Sequence, residues 1–478
     1  MSDGELPADE IRALLHRAAD LAADYLENVE TYPVLSAAGP GDISRALPVD
    51  PPEDPEALDD ILADFRDLVL PGLTHWNHPG FMAYFGISGS APGIAAELLS
   101  ATVNVNAMLW RTSPAATELE ERVCDWLRSM AGLPPAFRGH INDTASMASF
   151  LSLAAARDRV DPDIRRAGQS ALGERGALTV YTSDQAHSSI DKAAIGLGLG
   201  LDNVRRLPTD AEYRMRPQAL AEAIRDDRRA GRRPVAVVAT AGTTATTSVD
   251  PIDEIATLSQ RESIWLHVDA AYAGSAALCP EMRQLFAGWE RADSIVINPH
   301  KWLFTPFDCS VLLLRRPEDF VRAFSVVPEY LRTPDEGVTN LMDLGIQLGR
   351  RFRALKLWMV IRAYGVEGLR RRLREHCRLA TELAERVASV PAFELVCRPR
   401  FSVVCLRLSD DDPEREAALN EALVERVNAA GSVFLSATRL DGRAMVRVAF
   451  GNIRTGRRQL EEVWRLLCAA ARELGGEW

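Results

Sequence analysis

Cysteine is scarce in this chain: seven residues in 478, odd in number and with no C-x-x-C pair. Neither a disulfide framework nor a zinc site is indicated. Histidine is nearly as scarce, with eight dispersed residues and no H-E-x-x-H, which argues against metal chemistry. No stretch approaches the roughly 18 uninterrupted apolar residues of a spanning helix. The start, Met1-Ser2-Asp3-Gly4-Glu5, is acidic and lacks a signal-type apolar run. A cytoplasmic location is the expectation, with no membrane partner. Positive charge is also in deficit. Lys plus Arg is 55 against 67 Asp plus Glu, a net charge of −12, so nucleic acid is not an expected partner. There is no internal repeat and no low-complexity tract.

What is present reads as an ordinary globular chain of two or three domains. Residues 9–29 form an amphipathic pattern, with Ile11, Leu14, Leu15, Ala18, Leu21, Ala22, Tyr25 and Leu26 at helical spacing. Asp54-Pro55 looks like an N-cap followed by proline, opening a second helix with Leu58, Ile61, Leu62, Phe65 and Leu68. Two helices on a Pro- and Gly-bearing connector cannot bury both apolar faces alone. They pack either on their own main domain or on a second subunit. Residues 71–92 are rich in aromatics and turn formers, as a pocket wall would be. A helix follows at 115–131. Asp143-Thr144-Ala145-Ser146 then reads as a turn opening a helix, either a plain cap or a seat for phosphate on free N–H groups.

From 177 to about 315, strands alternate with helices. Strands are expected at 178–181, 235–240, 264–268, 294–297 and 311–314, with helices at 190–195 and 252–258. This alternation indicates an α/β domain with a largely parallel sheet, in which ligands sit beyond the carboxyl ends of strands. Polar residues fall at those ends: Ser183 to His187, Thr240 to Thr244, Asp269, and Asn298 to Lys301. Residues 328–345 read as a mobile loop, followed by a basic helix at 350–358. Further helix, strands at 401–406 and 444–450, and a final helix ending near Leu474 make a second, smaller α+β domain.

Two strand ends carry the chemistry. Trp265-Leu266-His267-Val268-Asp269 ends in an acid. Ser294-Ile295-Val296-Ile297 leads into Asn298-Pro299-His300-Lys301-Trp302. Each residue alone is equally an ordinary cap or a solvated lysine. Together they are what pyridoxal phosphate needs: a lysine for the Schiff base and an acid that keeps the pyridine nitrogen protonated, so the ring acts as an electron sink. Asp269 ends a buried strand, where an acid needs a partner. His187 is either a satisfied structural histidine or a ring-stacking proton exchanger. Gly196-Leu197-Gly198-Leu199-Gly200 has the wrong spacing for a dinucleotide loop.

These residues resemble the group II pyridoxal phosphate-dependent decarboxylases, in the aromatic L-amino acid decarboxylase branch of fold type I. The resemblance runs from about Tyr32 to beyond Asn452. It is carried by Pro71-Gly72-Leu73-Thr74-His75-Trp76, Ser183 to Ser189, His267 to Gly274, Asn298 to Trp302, Phe307 to Ser310, and Leu348 to Arg353. It implies a mostly parallel seven-stranded sheet flanked by helices. The implied segments are an N-terminal helical dimerisation segment (1–85), a large cofactor-binding domain (86–359) and a small C-terminal α+β domain (360–478). It implies a homodimer with the site at the subunit interface, closed by the partner's mobile loop.

The resemblance also implies roles. Lys301 forms the Schiff base, Asp269 pairs with the pyridine nitrogen, Ala271 lies against the ring and His187 stacks on its other face. Thr243 lies near the ring substituents. Ala145, Ser146 and Asn298 hold the phosphate, with His300 close by. The amino acid loses its carboxylate as CO₂, and a proton delivered to Cα gives the amine. Trp76, Tyr84, Phe85 and Ile87 favour a flat apolar side chain.

Two positions depart from the pattern. Leu341 falls where amine-forming members carry a proton-donating tyrosine, leaving Tyr330, His187 or water as donor, or oxygen as the alternative fate. Relatives lacking that tyrosine can make an aldehyde, ammonia and peroxide. Asn106 and Met108 stand where aromatic-specific members carry more apolar or aromatic side chains. The expectation is decarboxylation of an aromatic L-amino acid (tryptophan, tyrosine, phenylalanine or hydroxylated forms) to the arylalkylamine. The alternatives are an aldehyde synthase, a decarboxylase of a non-aromatic amino acid using Arg111, and a cofactor-binding protein without catalysis.

Overall fold

The computed structural model describes residues 6–169, 173, 175–326 and 337–475. Among these, the strands form two sheets. The larger contains β1 (Arg138–Asn142), β2 (Leu178–Ser183), β3 (Val204–Leu207), β4 (Arg233–Thr240), β5 (Trp265–Asp269), β6 (Ser294–Ile297) and β7 (Ser310–Leu314). Their order is β1-β7-β6-β5-β4-β2-β3. The neighbours from β3 through β6 are parallel, and β7 alone runs against both of its neighbours. The fold is α/β, with the mostly parallel seven-stranded sheet expected.

The central strands are continuous apolar runs because both sheet faces are covered. On β4, Val237 and Ala239 enter one core while Ala236 and Val238 enter the other. On β7, Val311 and Leu313 alternate with Leu312 and Leu314 in the same way. Each fully buried Val or Leu contributes roughly 1.5–3 kcal/mol. The helix Ala145–Val160 lays Leu151, Leu153 and three consecutive alanines onto the second face.

The smaller sheet has the order β10-β11-β9-β8, all antiparallel. Its strands are β8 (Phe393–Cys397), β9 (Val403–Leu408), β10 (Ser436–Leu440) and β11 (Arg443–Ala449). Val404, Leu406, Val446 and Val448 face the helices Pro413–Ala429 and Arg457–Glu473. Val403, Cys405, Met445 and Ala449 face the other way and join the core of the large sheet. The helix Ala354–Ala388 leads between the layers and turns sharply at Gly365, whose φ is 63°.

Some elements differ from the sequence reading. The second helix begins at Leu58, not Pro55, and Asp54 does not cap it. Its first turn carries Asp59 and Asp60, which suit the positive end of the helix dipole. Arg350 to Arg353 precede the helix rather than opening it, because Arg350 turns inward to a buried carboxylate. The Gly196–Gly200 stretch is the turn between the helix Ser189–Gly196 and β3. Residues 328–336 of the expected loop, Tyr330 included, lie outside the described residues. Leu341 to Leu344 form a short helical turn rather than a loose loop, with Leu341 only 1% exposed. No helix among the described residues is long and apolar enough to cross a membrane.

Candidate active site

The parallel strands β2, β4, β5 and β6 place all their carboxyl ends on one edge of the sheet, and β1 runs in the same sense. The segments leaving that edge line one cavity: Thr144 to Ser146, His187, Thr240, Gly242, Thr244, Asp269, Ala271, Asn298, His300 and Lys301. Phe85, Tyr272 and Phe307 complete its walls. Gly242 is needed there. Its φ is +98°, and a Cβ would stand 2.6 Å from that of Ala273.

Lys301 supplies a primary amine. Burial lowers its pKa, while the Asp269 carboxylate opposes that shift. The balance moves the amine toward its neutral, nucleophilic form. Its Nζ stands 5.2 Å from the centre of the Phe85 ring. Asp269 is 7% exposed and accepts the Ala271 N–H at 3.1 Å.

Two imidazoles flank the amine, and the fold sets the tautomer of each. His187 Nδ1 accepts the Ser189 N–H at 3.1 Å, so the neutral ring carries its proton on Nε2. Burial lowers its pKa; Asp269 resists and Lys301 adds to the effect. His300 Nδ1 accepts the Cys309 N–H at 2.9 Å. Burial, then the Lys301 charge, pushes His300 down to about 3, so it too is a neutral Nε2–H donor.

The remaining donors form a seat for an anion. Thr144 caps the helix Ala145–Val160, its Oγ1 accepting the Met147 N–H at 3.4 Å. The free first-turn N–H groups and the Ser146 hydroxyl stand at the positive end of the helix dipole. Asn298 Oδ1 accepts from Ser310 Oγ at 2.6 Å, which leaves its amide nitrogen as the group to offer. Behind the cavity runs an aromatic column. Phe85 stacks on Tyr272 at 3.9 Å, Tyr272 stacks on Trp302 at 4.8 Å, and Trp302 Nε1 donates to His376 Nδ1 at 2.9 Å.

Of the residues singled out in the sequence, this cavity gathers Phe85, Ala145, Ser146, His187, Asp269, Ala271, Asn298, His300 and Lys301. Seven others stand outside it. Thr243 is fully buried, its Oγ1 held by Thr246 Oγ1 at 3.0 Å and the Ser248 N–H at 3.0 Å. Its neighbours Gly242 and Thr244 face the cavity instead. Trp76 and Tyr84 cluster with Phe81 and Phe434 against the small sheet. Ile87 is half-buried beyond them. Asn106 Oδ1 accepts the Arg350 N–H at 2.9 Å, and Met108 packs on Leu109 and Met342. Leu341 sits in the core beside Ala148 and Leu151. Sequence reasoning missed Tyr272 and Phe307 as cavity walls, although each lies within a quoted motif; Thr144, Thr240, Gly242 and Thr244 fall within the helix-opening and strand-end stretches it named, without being assigned individual roles.

An amine, a carboxylate, neutral imidazoles and an anion seat at the strand ends of such a sheet define the class: a fold type I pyridoxal phosphate enzyme. A profile of the pyridoxal-dependent decarboxylase conserved domain matches residues 40–409, and the chain belongs to that family. It is 41% identical to a phenylacetaldehyde synthase of Arabidopsis thaliana, over 97% of this chain and 96% of that one. It is 40% identical to tyrosine decarboxylase 2 of Narcissus pseudonarcissus, over 96% and 94%. Its fold matches the crystal structure of Oryza sativa TDC with PLP and tryptamine at a TM-score of 0.95. That match has 37% identity and covers 99% of this chain and 100% of that one. The cofactor is pyridoxal 5'-phosphate, and the reaction class is that of a carboxy-lyase.

Proposed function

We propose that this chain decarboxylates an aromatic L-amino acid to its arylalkylamine and CO₂, working in the cytoplasm as a homodimer. The observation that carries this reading is the meeting of Lys301, Asp269 and His187 beside the Phe85–Tyr272 aromatic floor. The donor set fits the cofactor group by group. Lys301 would hold its aldehyde carbon and Asp269 its ring nitrogen. His187 and Ala271 would flank the ring, with Thr243 beyond its substituents. Ala145, Ser146 and Asn298 would hold the phosphate, and His300 would add an uncharged donor. When bound, the cofactor supplies the electron sink for the pair left as the carboxylate departs.

The chain's own groups do the rest. Asp269 keeps a positive charge opposite itself. The aromatic wall excludes water and orients a flat side chain. His187 Nε2–H is an available proton for the substrate Cα, a task Leu341 cannot perform. The dimer reading rests on apolar surface. The helix Ala8–Asn28 buries no residue, and Leu98, Leu99, Val103 and Phe307 are exposed. A second subunit would cover them and bring a second set of side chains to the cavity mouth.

One observation favours a second reading. Leu341 has no proton to donate, and one relative at 41% identity is a phenylacetaldehyde synthase. On that route the amino acid, O₂ and water give the aldehyde, CO₂, ammonia and hydrogen peroxide. A product balance on the holoenzyme separates the two. CO₂ matched by amine without oxygen uptake supports the decarboxylase. CO₂ matched by aldehyde and ammonia replaces it with the synthase. Silence on every aromatic amino acid refutes both. Lys301→Ala is expected to abolish the covalent cofactor absorbance, and an unchanged spectrum would refute the site.

A further inference from the structure

We propose that Cys397 and Cys405 are a redox-modifiable pair, which hydrogen peroxide converts to a disulfide that loosens the cofactor site. The two lie outside the catalytic machinery, and their spacing in sequence gives no sign of pairing. The fold brings them face to face. Cys397 ends β8, Cys405 lies in β9, and they are register partners beside a bulge that follows Leu395. Directly opposed residues of an antiparallel pair have Cα atoms about 4.5–5.5 Å apart. That falls inside the window of about 4.4–6.8 Å that a disulfide needs. Both side chains lie against the core of the large sheet.

The pair is asymmetric, as a sensor pair should be. Cys397 is half-buried and reachable, whereas Cys405 is buried. The neighbouring Cys405 thiol lowers the Cys397 pKa, and the Arg400 charge adds to this against the cost of burial. Cys397, the reachable sulfur, is therefore the one that attacks, through its thiolate form, and Cys405 is the resolving thiol. The Cys397 sulfur takes one peroxide oxygen as the O–O bond breaks, giving a sulfenic acid and hydroxide. The Cys405 sulfur then displaces that oxygen, which leaves as water with the thiol proton. Two thiols lose two electrons, and peroxide is reduced to two waters.

The coupling to the site runs through one carbonyl. Cys405 Sγ donates to Ala245 O at 3.3 Å, and Arg447 Nε donates to the same oxygen at 2.9 Å. Ala245 follows Thr244, which lines the cavity. The buried Arg447 guanidinium stands 5.2 Å from the centre of the Phe85 ring, the same ring that faces Lys301. A disulfide sulfur has no proton to donate. Oxidation therefore removes one of the two hydrogen bonds that fix the turn beneath the cofactor.

The test is peroxide treatment of the full-length holoenzyme, alkylation of remaining thiols, and non-reducing tryptic mapping. Trypsin cuts after Arg386, Arg400 and Arg407 and spares the Arg398–Pro399 bond, so each cysteine lands on its own fragment, 387–400 or 401–407. The expected result is one joined species, lighter than the sum by two hydrogens and split by reduction. Cofactor dissociation, read by absorbance, should strengthen with oxidation by about two- to tenfold, the worth of one hydrogen bond, and return on reduction. Cys397→Ser, or Cys397→Ala should the first fold poorly, should lose both the joined species and the peroxide response. Separate fragments, each alkylated or over-oxidised, would overturn the pair. A joined species with unchanged cofactor affinity would overturn the coupling.

Discussion

Asp269 and Lys301 show how much of this site is one charge acting on another. Burial lowers the Lys301 pKa, and Asp269 is what opposes that shift. Replacing Asp269 by Asn keeps the shape and removes the charge. Loss of one member of a buried charge pair costs about 3–5 kcal/mol. If that loss falls on the reacting state, turnover drops by roughly two to four orders of magnitude. The expected outcome for Asp269→Asn is such a fall in kcat, with weakened cofactor binding. Steady-state kinetics with a cofactor titration checks it; near-normal kcat would remove Asp269 from its role. Leu341 makes a second case at this scale. It is buried beside Leu151, and a tyrosine there would overpack the core at a cost of about 1–3 kcal/mol. Leu341→Tyr should lower the melting temperature, and if the ring finds a way to the cavity, amine should rise at the expense of any aldehyde in the product balance.

Elements, rather than single residues, decide where the site can form, and one buried ion pair joins three of them. Arg350, on the segment before the helix Ala354–Ala388, donates to Glu120 at 2.7 Å, to Ile141 O at 2.7 Å and to Ala107 O at 3.2 Å. Glu120 in turn accepts the Ile141 N–H at 2.9 Å, tying the helix Pro114–Met130 to β1. Arg350→Ala leaves Glu120 charged and unpaired, at a cost of about 3–5 kcal/mol. Urea unfolding should show that loss, and Glu120→Leu combined with Arg350→Met should recover most of it.

The same scale explains what the sequence could tell. Seven strands were legible, and each is an interior strand with an apolar run. The four that were not, β1, β3, β8 and β10, are the outer strands of the two sheets. They carry Arg138, Arg205, Arg206, Glu394 and Arg439, the charges that keep an edge from pairing further, and these break the apolar pattern. The strand-end motifs around Asp269 and Lys301 were legible for the opposite reason, since a polar residue closing a buried run stands out. Trp76, Tyr84, Asn106 and Met108 entered through resemblance, and in the single chain they pack among themselves and their neighbours instead of at the cavity. Cys397 and Cys405 were invisible as a pair because only the register of β8 on β9 opposes them.

For the whole molecule, the buried histidines set the response to acid. Burial pushes His267 down to about 4, His376 to about 4 and His300 to about 3. His140 lies well below its ordinary value, through burial and the nearby Arg350 charge. Each is held neutral in the fold, while the unfolded chain protonates near 6.5. Between about 6.5 and the folded values, the unfolded state therefore binds more protons, and stability must fall as pH falls. At pH 5, the first three together remove roughly 6 kcal/mol relative to neutrality. Asp250 acts in the opposite sense. Burial raises it to about 6, so it binds a proton before the unfolded chain does and returns about 1 kcal/mol. The net loss of roughly 5 kcal/mol is comparable to the whole stability of a typical domain. The protein should therefore unfold cooperatively on acidification near pH 5, driven by its buried histidines. Urea midpoints from pH 8 to 4.5, at fixed protein and cofactor concentration, check this. A flat profile down to pH 4.5 would mean these imidazoles are not neutral in the fold, and the Nε2–H assigned to His300 would fall with them.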